Sequence, residues 1–432
     1  MSDKKTEVVV IGAGPGGYAA AFYAADLGKK VILIDADSDK KLGGVCLNRG
    51  CIPSKALLNA TKLLSEKDKH SHRGISFDTP KIDLKKMRQW KDGIIQKLSS
   101  GVSQLAKARG VTVIHGKALF DDSHTVRVET AKGQQFISFE YAIVAVGSKP
   151  AIPASFDLGA KRIMTSTKAL EIEDIPKDFL VIGGGYIGME LGTVYANLGS
   201  NVTVVEALSS ILMGADPDLA RPVMTLAKKA FKEVLLNTKV VKLSTHQKKI
   251  EVVMETNGKK AKSLFDKVLV SVGRKPNSED MGLENTNIKL DEKGFIKVND
   301  SQQTDEPHIF AIGDIAGGVL LAHKASKEAR IAVETLMGEK AQFKDVVIPA
   351  VVFTDPEVAW CGLTEEEAKS KGIKIKVAKF PWAASGRALT LDRAEGLTKI
   401  IAEPDSDRVI GVGIVGIGAG DLISEGVLAV EM

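Results

Sequence analysis

The sequence predicts an α/β fold: two Rossmann-like dinucleotide-binding domains followed by an α+β region. Three observations predict it. An apolar, β-branched run, a glycine turn, a helical stretch and a second apolar strand follow one another at Glu7–Asp35 and again at Phe179–Glu206. Each turn spaces its glycines as G-x-G-x-x-G, at Gly12, Gly14 and Gly17 and at Gly183, Gly185 and Gly188. Each second strand closes on a carboxylate, Asp35 or Glu206, 18 residues after the last of those glycines.

The elements read in order as follows. Residues from about 55 to 110 are helical and charge-rich, with SEKDKHSHRG separating two helices. Residues 111–147 alternate like antiparallel strands and end in YAIVAVGSKP. That ending is echoed by KVLVSVGRKPN, each a buried strand stopping at a Gly with Pro shortly after. HIFAIGD and a helix from about Ala322 to Met337 come next. From Ile348 onward short strands alternate with turns, with a helix at Glu365–Lys371. The domain division that results is 1–149, 150–275, a central segment 276–346, and 347–432. Three domains of about 150 residues suit the 432-residue length.

Composition excludes several classes. With 44% hydrophobic and 26% charged residues, the chain is neither disordered nor coiled coil. No apolar run reaches the roughly 18 residues of a membrane span, so no membrane association is expected. A formal charge of +5, without a dense Lys/Arg block interleaved with aromatics, gives no support to nucleic-acid binding. A strand starts near residue 7 and leaves no room for a signal peptide, so the expected location is cytoplasmic. A processed organelle protein is the alternative.

The glycine turns carry chemistry. Gly12 allows a tight turn, Gly14 lets backbone approach a pyrophosphate, and Gly17 lets helix and strand pack closely; the helix N-terminus faces the phosphates. The turn at Gly183, Gly185 and Gly188, with Tyr186 and Ile187 between its last two glycines, repeats the logic. After Glu206 come Ala207, Leu208, Ser209 and Ser210, with no Arg. A 2′-phosphate would meet a carboxylate there, so NAD(H) is preferred over NADP(H).

Gly43 to Lys55 reads GGVCLNRGCIPSK. Pro53 suits the first helical position, which places Cys51 just before a helix N-terminus that favours a thiolate. Cys46 is near enough to close a small ring. Disulfides in reducing compartments are usually catalytic or redox-sensing, so a redox pair is the leading reading. Zinc, disfavoured by the C-x-x-x-x-C spacing, and two plain buried thiols are the alternatives. No metal site is expected.

GGVCLNRGCIPSK resembles the active-site segment of the flavin disulfide reductases, and within them the dihydrolipoamide dehydrogenase form. HIFAIGDIAGGVLLAHKASKEA resembles their second FAD motif. IPAVVFTDPEVAWCGLTEEEA and FPWAASGRAL resemble their interface domain. The resemblance covers essentially the whole chain. It implies oxidation of dihydrolipoyl groups through a redox-active disulfide, with FAD and NAD as cofactors. The implied partners are a lipoyl-bearing acyltransferase or glycine-cleavage carrier protein and a second copy of the chain. Another disulfide reductase, acting on glutathione or a metal ion, and a diaphorase-type flavoprotein are the alternatives.

By that resemblance Cys46 is the interchange thiol and Cys51 the thiol beside the flavin. Lys55 lies by the flavin and pairs with Glu190, and Asp314 holds a ribityl hydroxyl. Gly116, Val146, Gly147 and Ser148 line the adenosine part of FAD. Leu320, Leu321, Ala322 and His323 begin a helix whose N-terminus faces the flavin. Val240 and Gly273 line the NAD site.

Other residues are read more plainly. His115 is a loop packing residue rather than a base, His70 and His72 belong to a solvated helix connection, and Cys361 is a small buried thiol. Arg49, where relatives commonly carry Val, is either a solvated side chain or a modifier of substrate approach. The text ends inside a helix (Ile423, Val427, Leu428, Val430) with no cap, and reads as an incomplete C-terminus. The family's acid/base His and its Glu would lie beyond Met432. A polypeptide stopping there is expected to bind FAD and NADH but to oxidise dithiols poorly.

Overall fold

The computed structural model describes residues 4–37, 39–66 and 72–432. It divides into two compact units, each discontinuous in sequence. One comprises 1–53, 89–150 and 274–345, and the other 54–88, 151–273 and 346–432.

In the first unit, strand Lys4–Ile11 is flanked in parallel by Val31–Asp35 on one side and Gly133–Val144 on the other. The run Val8, Val9, Val10, Ile11 is buried throughout because both faces of the sheet are covered. Val8, Val10 and Leu33 pack with Ala20, Ala21 and Ala24 of helix Pro15–Asp26 and with Ala329 and Ala332 of helix Ala322–Leu336. Val9, Ile11, Ile32 and Ile34 face Phe120, Val126 and Ile137. Strands Lys117–Asp122, Thr125–Thr130 and Gly133–Val144 form an antiparallel meander, as the alternating pattern predicts. Thr112–His115 departs from it by pairing in parallel with Val31–Asp35. The long helix before it, Leu84–Ala108, serves as a crossover, and a crossover returns the chain in the same direction.

In the second unit, strands Glu233–Leu235, Asn201–Val205, Asp178–Ile182, Lys267–Val270 and Ile163–Met164 form a parallel sheet in that order. Helix Tyr186–Asn197 crosses over between Asp178–Ile182 and Asn201–Val205. A separate antiparallel sheet runs Ala350–Val352, Glu357–Gly362, Val409–Gly416, Leu397–Ala402, Lys376–Pro381. Helix Ala419–Glu431 seats Ile423 and Val430 against Ala359, Cys361, Val412 and Ile414 of that sheet, while Leu428 is exposed.

Two local expectations change. The cysteine segment contains a short helix, Gly44–Arg49, that the sequence did not signal; Gly43 and Gly44 both take positive φ to enter it. The next helix spans Cys51–Glu66, so Cys51 is its first residue rather than a flanking one, and Pro53 is third. Proline is tolerated there because first-turn amides have no intrahelical acceptor. The helix expected from about Ala322 does begin there, with Leu321 in extended conformation as its cap.

Candidate functional site

The first glycine turn separates two jobs. A Cβ at Gly12 (φ +102°) would lie 2.4 Å from the Ala145 carbonyl oxygen, and one at Gly17 would lie 1.8 Å from that of Gly12. Both positions are closed by packing. A Cβ at Gly14 would meet nothing within 4 Å, so open space stands before the N-terminus of helix Pro15–Asp26. That is the cradle a pyrophosphate needs. Asp35 is buried and accepts the Ala13 amide at 3.2 Å through Oδ1, while its Oδ2 is buried with no hydrogen-bond partner among the described residues. Burial pushes its carboxyl up, against the Ala13 amide, which pulls it down. A buried oxygen without a donor fits a ribose hydroxyl. Gly116 donates to the Asp35 carbonyl at 2.9 Å, and a Cβ there would strike the Glu129 carbonyl, so strand packing also requires it.

Apart from Lys55, the other residues that the resemblance assigns to FAD fall in the same unit. Ser148 donates its hydroxyl to Asp314 and receives Arg274 Nε at 2.7 Å; Arg274 also bonds the Ser148 carbonyl at 2.7 Å and stands 3.6 Å from Asp314. Asn277 holds Val146 and Gly147 through their carbonyls at 2.9 and 3.0 Å. Glu328 accepts the Gly313 amide at 2.7 Å and pairs with Lys324 at 2.7 Å, and Lys324 bonds the Gly317 carbonyl at 2.7 Å. These buried charges lie just past His323 and fasten the loop bearing Asp314; burial pushes the Glu328 carboxyl up, partly offset by Lys324. Sequence reasoning missed Arg274, Asn277, Lys324 and Glu328. The available signal was the echo VGSKP/VGRKPN, whose two segments pair through Ser148–Pro150 and Arg274–Pro276.

Cys46 sits half-buried in the short helix and Cys51 is exposed at the start of the next. Partial charge at that helix N-terminus favours a Cys51 thiolate. Arg49, between them, is held by Asp37 at 2.9 Å and stands 3.6 Å from Asp39, so it is not a freely solvated side chain. Cys361 is buried, and desolvation pushes its thiol up to about 11, as an inert core thiol requires.

The second unit repeats the cradle. Cβ atoms at Gly183 (φ +105°) and Gly188 would lie 2.5 Å from the Ser271 carbonyl and 2.0 Å from the Gly183 carbonyl, and Gly185 is open. Glu206 accepts the Gly184 amide at 2.7 Å and the Leu208 amide at 2.8 Å. Tyr186, exposed, and Ile187, packed on the core, open the helix. Val240 packs against a core that includes Ile182 and Val205, and Gly273 (φ +142°) faces open space. Glu206→Arg is expected to invert nucleotide preference. It replaces a carboxylate by a phosphate-binding guanidinium, and the ratio of NADH to NADPH dissociation constants should move by about 10–100-fold; fluorescence titration of both nucleotides measures it.

Glu190 is buried in the same unit. Lys55 Nζ stands 3.0 and 2.8 Å from its two oxygens, Ser54 donates at 2.9 Å, and the Phe353 amide donates at 3.0 Å. Lys55 also lies over the Phe353 ring at 4.7 Å. The pair that the resemblance implies is therefore formed. Lys55→Met leaves Glu190 with two donors, and urea unfolding should register a loss of about 1–2 kcal/mol.

Asp216, Asp218 and Glu365 bring carboxylate oxygens within 4.8 Å of one another. Lys399 Nζ occupies their centre, at 2.5, 2.7 and 3.0 Å. His72 pairs with Asp392 at 2.9 Å; His70 lies outside the described residues.

Comparison with known proteins agrees with this geometry. Residues 6–329 match the family model for pyridine nucleotide-disulphide oxidoreductases, and residues 348–432 match that family's dimerisation domain. Dihydrolipoyl dehydrogenase of Vibrio parahaemolyticus is 45% identical over 431 residues, covering 99% of this chain and 90% of the relative. Those of Buchnera aphidicola (Schizaphis graminum) and Geobacillus stearothermophilus are each 44% identical with the same coverage. Among solved structures, LpdA of Mycobacterium tuberculosis superposes with TM-score 0.90 at 26% identity, covering 99% of this chain and 93% of that one. The HOCl-induced disulfide reductase RclA of Escherichia coli superposes at 0.86 and 28% identity, covering 98% and 93%. With two dinucleotide cradles, a cysteine pair at a helix start and matches across both domain models, the chain belongs to the pyridine nucleotide-disulphide oxidoreductases.

Proposed function

We propose that this chain oxidises dihydrolipoyl groups and passes the electrons to NAD⁺, with FAD as its resident cofactor. The observation that carries the reading is Cys46 and Cys51 in consecutive helices, Cys51 first in its helix and Lys55 one turn later, in a chain 44–45% identical to curated dihydrolipoyl dehydrogenases. FAD, when bound, carries an electron pair between the cysteine couple and NAD⁺. In the oxidised protein, a substrate thiolate attacks the Cys46 sulfur of a Cys46–Cys51 disulfide and displaces Cys51 as a thiolate. The second substrate thiol then attacks the mixed disulfide and releases Cys46, leaving a cyclic substrate disulfide and two protein thiols. The helix N-terminus lowers the cost of the Cys51 anion.

Asp35, Gly14 and the Ser148–Asp314–Arg274 group suit the adenosine and ribityl parts of FAD. Gly185 and Glu206 suit NAD. Residues 1–149 with 276–346 would hold FAD, 150–275 NAD, and 347–432 the partner copy; the dimerisation-domain match supports a homodimer. The lipoyl group would arrive on an acyltransferase or carrier protein. Among the described residues no helix is long and apolar enough to cross a membrane, and a cytoplasmic location is proposed.

The test compares turnover of flavin-loaded protein with NADH and lipoamide against NADPH and glutathione disulfide. The reading predicts that lipoamide with NADH is the preferred pair. Preference for glutathione disulfide with NADPH overturns it.

A further inference from the structure

Strands Val31–Asp35 and Thr112–His115 end side by side, with Asp35 and His115 in register. Residues paired across neighbouring strands project from the same face of a sheet. The chain leaves this edge through Gly116, whose amide is fixed to the Asp35 carbonyl at 2.9 Å. Both side chains therefore spring from a rigid, hydrogen-bonded corner.

Each carries a buried polar atom without a hydrogen-bond partner among the described residues: Asp35 Oδ2 and His115 Nδ1. A buried polar atom left unbonded costs free energy, and native structures keep few of them. Two at register-paired positions point to one missing ligand. Their chemistry constrains it. The Asp35 oxygen needs a donor, and an imidazole nitrogen accepts or donates according to tautomer. A vicinal diol answers both, since each hydroxyl donates once and accepts as well. Asp35 Oδ1 is already bound to Ala13, in the turn whose Gly14 leaves the phosphate cradle open. Diol and phosphate are thus called for at one end of one sheet, as in the adenosine half of a dinucleotide. A histidine that merely packed would have no reason to leave Nδ1 buried and unbonded beside an unbonded carboxylate oxygen.

We propose that His115 is an adenosine-recognising residue of the FAD site, bonding the ribose through Nδ1 beside the hydroxyl held by Asp35, and so favouring FAD over FMN. This rests on the assignment of the first glycine turn to FAD.

The test uses flavin-free protein titrated with FAD and, separately, with FMN, which lacks the adenosine half; quenching of flavin fluorescence gives both dissociation constants. His115→Phe keeps a planar ring and removes both nitrogens. It is expected to weaken FAD by about 5–10-fold, one hydrogen bond's worth, and to leave FMN unchanged. His115→Asn restores a polar atom and should recover most of the loss. Adenosine monophosphate should compete with FAD less well in the Phe variant than in the parent. An unchanged FAD constant in His115→Phe overturns the proposal. So does equal weakening of FAD and FMN, which would make His115 a packing residue. Failure of the parent to bind FAD at all would instead overturn the proposed function on which the inference rests.

Discussion

Cys51→Ser is expected to abolish dithiol-dependent NAD⁺ reduction, by at least about 10³-fold, and Cys46→Ser to do the same. A serine hydroxyl neither forms the S–S bond nor ionises near neutral pH, so neither half of the exchange can proceed. NADH-dependent reduction of a quinone acceptor draws on the nucleotide sites alone and should remain within a few-fold of the parent. The internal control is Cys361→Ser. That thiol is buried, is pushed up to about 11 and packs among Ala359, Val412 and Ile414, so its loss should leave dithiol turnover unchanged. Steady-state assays with dihydrolipoamide, run beside quinone reduction, measure all three variants.

Lys399→Met is expected to destabilise the second unit by about 3–5 kcal/mol. Lys399 is 1% exposed and, among the described residues, its ammonium is the only cation touching buried Asp216, which also accepts the amides of Glu365 and Glu366 at 3.0 and 3.2 Å. Removing it leaves three converging carboxylates, of which Lys379 reaches Asp218 at 2.7 Å and Glu365 at 2.9 Å but not Asp216. Burial alone would lower the Lys399 ammonium, yet the three carboxylates hold it above its ordinary value. Burial likewise raises Asp218, and hydrogen bonds from Lys379 and Lys399 more than offset it. The signs give a stability window. Lys399's contribution is complete below its ordinary value of 10.5 and fades as pH rises through the raised one. Asp218's is complete above 3.8 and is lost as pH falls through the lowered one. Urea unfolding followed by Trp360 and Trp382 fluorescence should show a plateau between those limits in the parent and a shifted midpoint in the variant.

Much of the architecture is legible because its signals are local. Each β-α-β unit is announced by a buried strand, a glycine turn and a closing acid within about 30 residues, and the structure shows why Gly12, Gly17, Gly183 and Gly188 tolerate nothing larger. The helix Glu365–Lys371 is legible from its own capping box at Thr364 and Glu367. What escaped is non-local or short. Helix Gly44–Arg49 has six residues and no side-chain cap, so it leaves no periodic trace. Thr112–His115 shows no sign of its direction in four residues. Lys399 reads as an ordinary strand residue until Asp216, 183 positions away, is folded against it. Lys324 and Glu328 look like a solvated i,i+4 pair, and only burial and the Gly313 amide reveal that they hold a loop. Glu190 emerged through resemblance alone, since no spacing rule links it to Lys55.

The central claim is that Cys46 and Cys51 are a redox couple linked to NAD. It is tested most directly by alkylating oxidised, flavin-loaded protein under denaturing conditions, before and after one equivalent of NADH without oxygen, and mapping the labels by mass. The account predicts that NADH is consumed and two labels appear, one on Cys46 and one on Cys51, with Cys361 labelled equally in both samples. Consumption of NADH with no new label on either cysteine would contradict it.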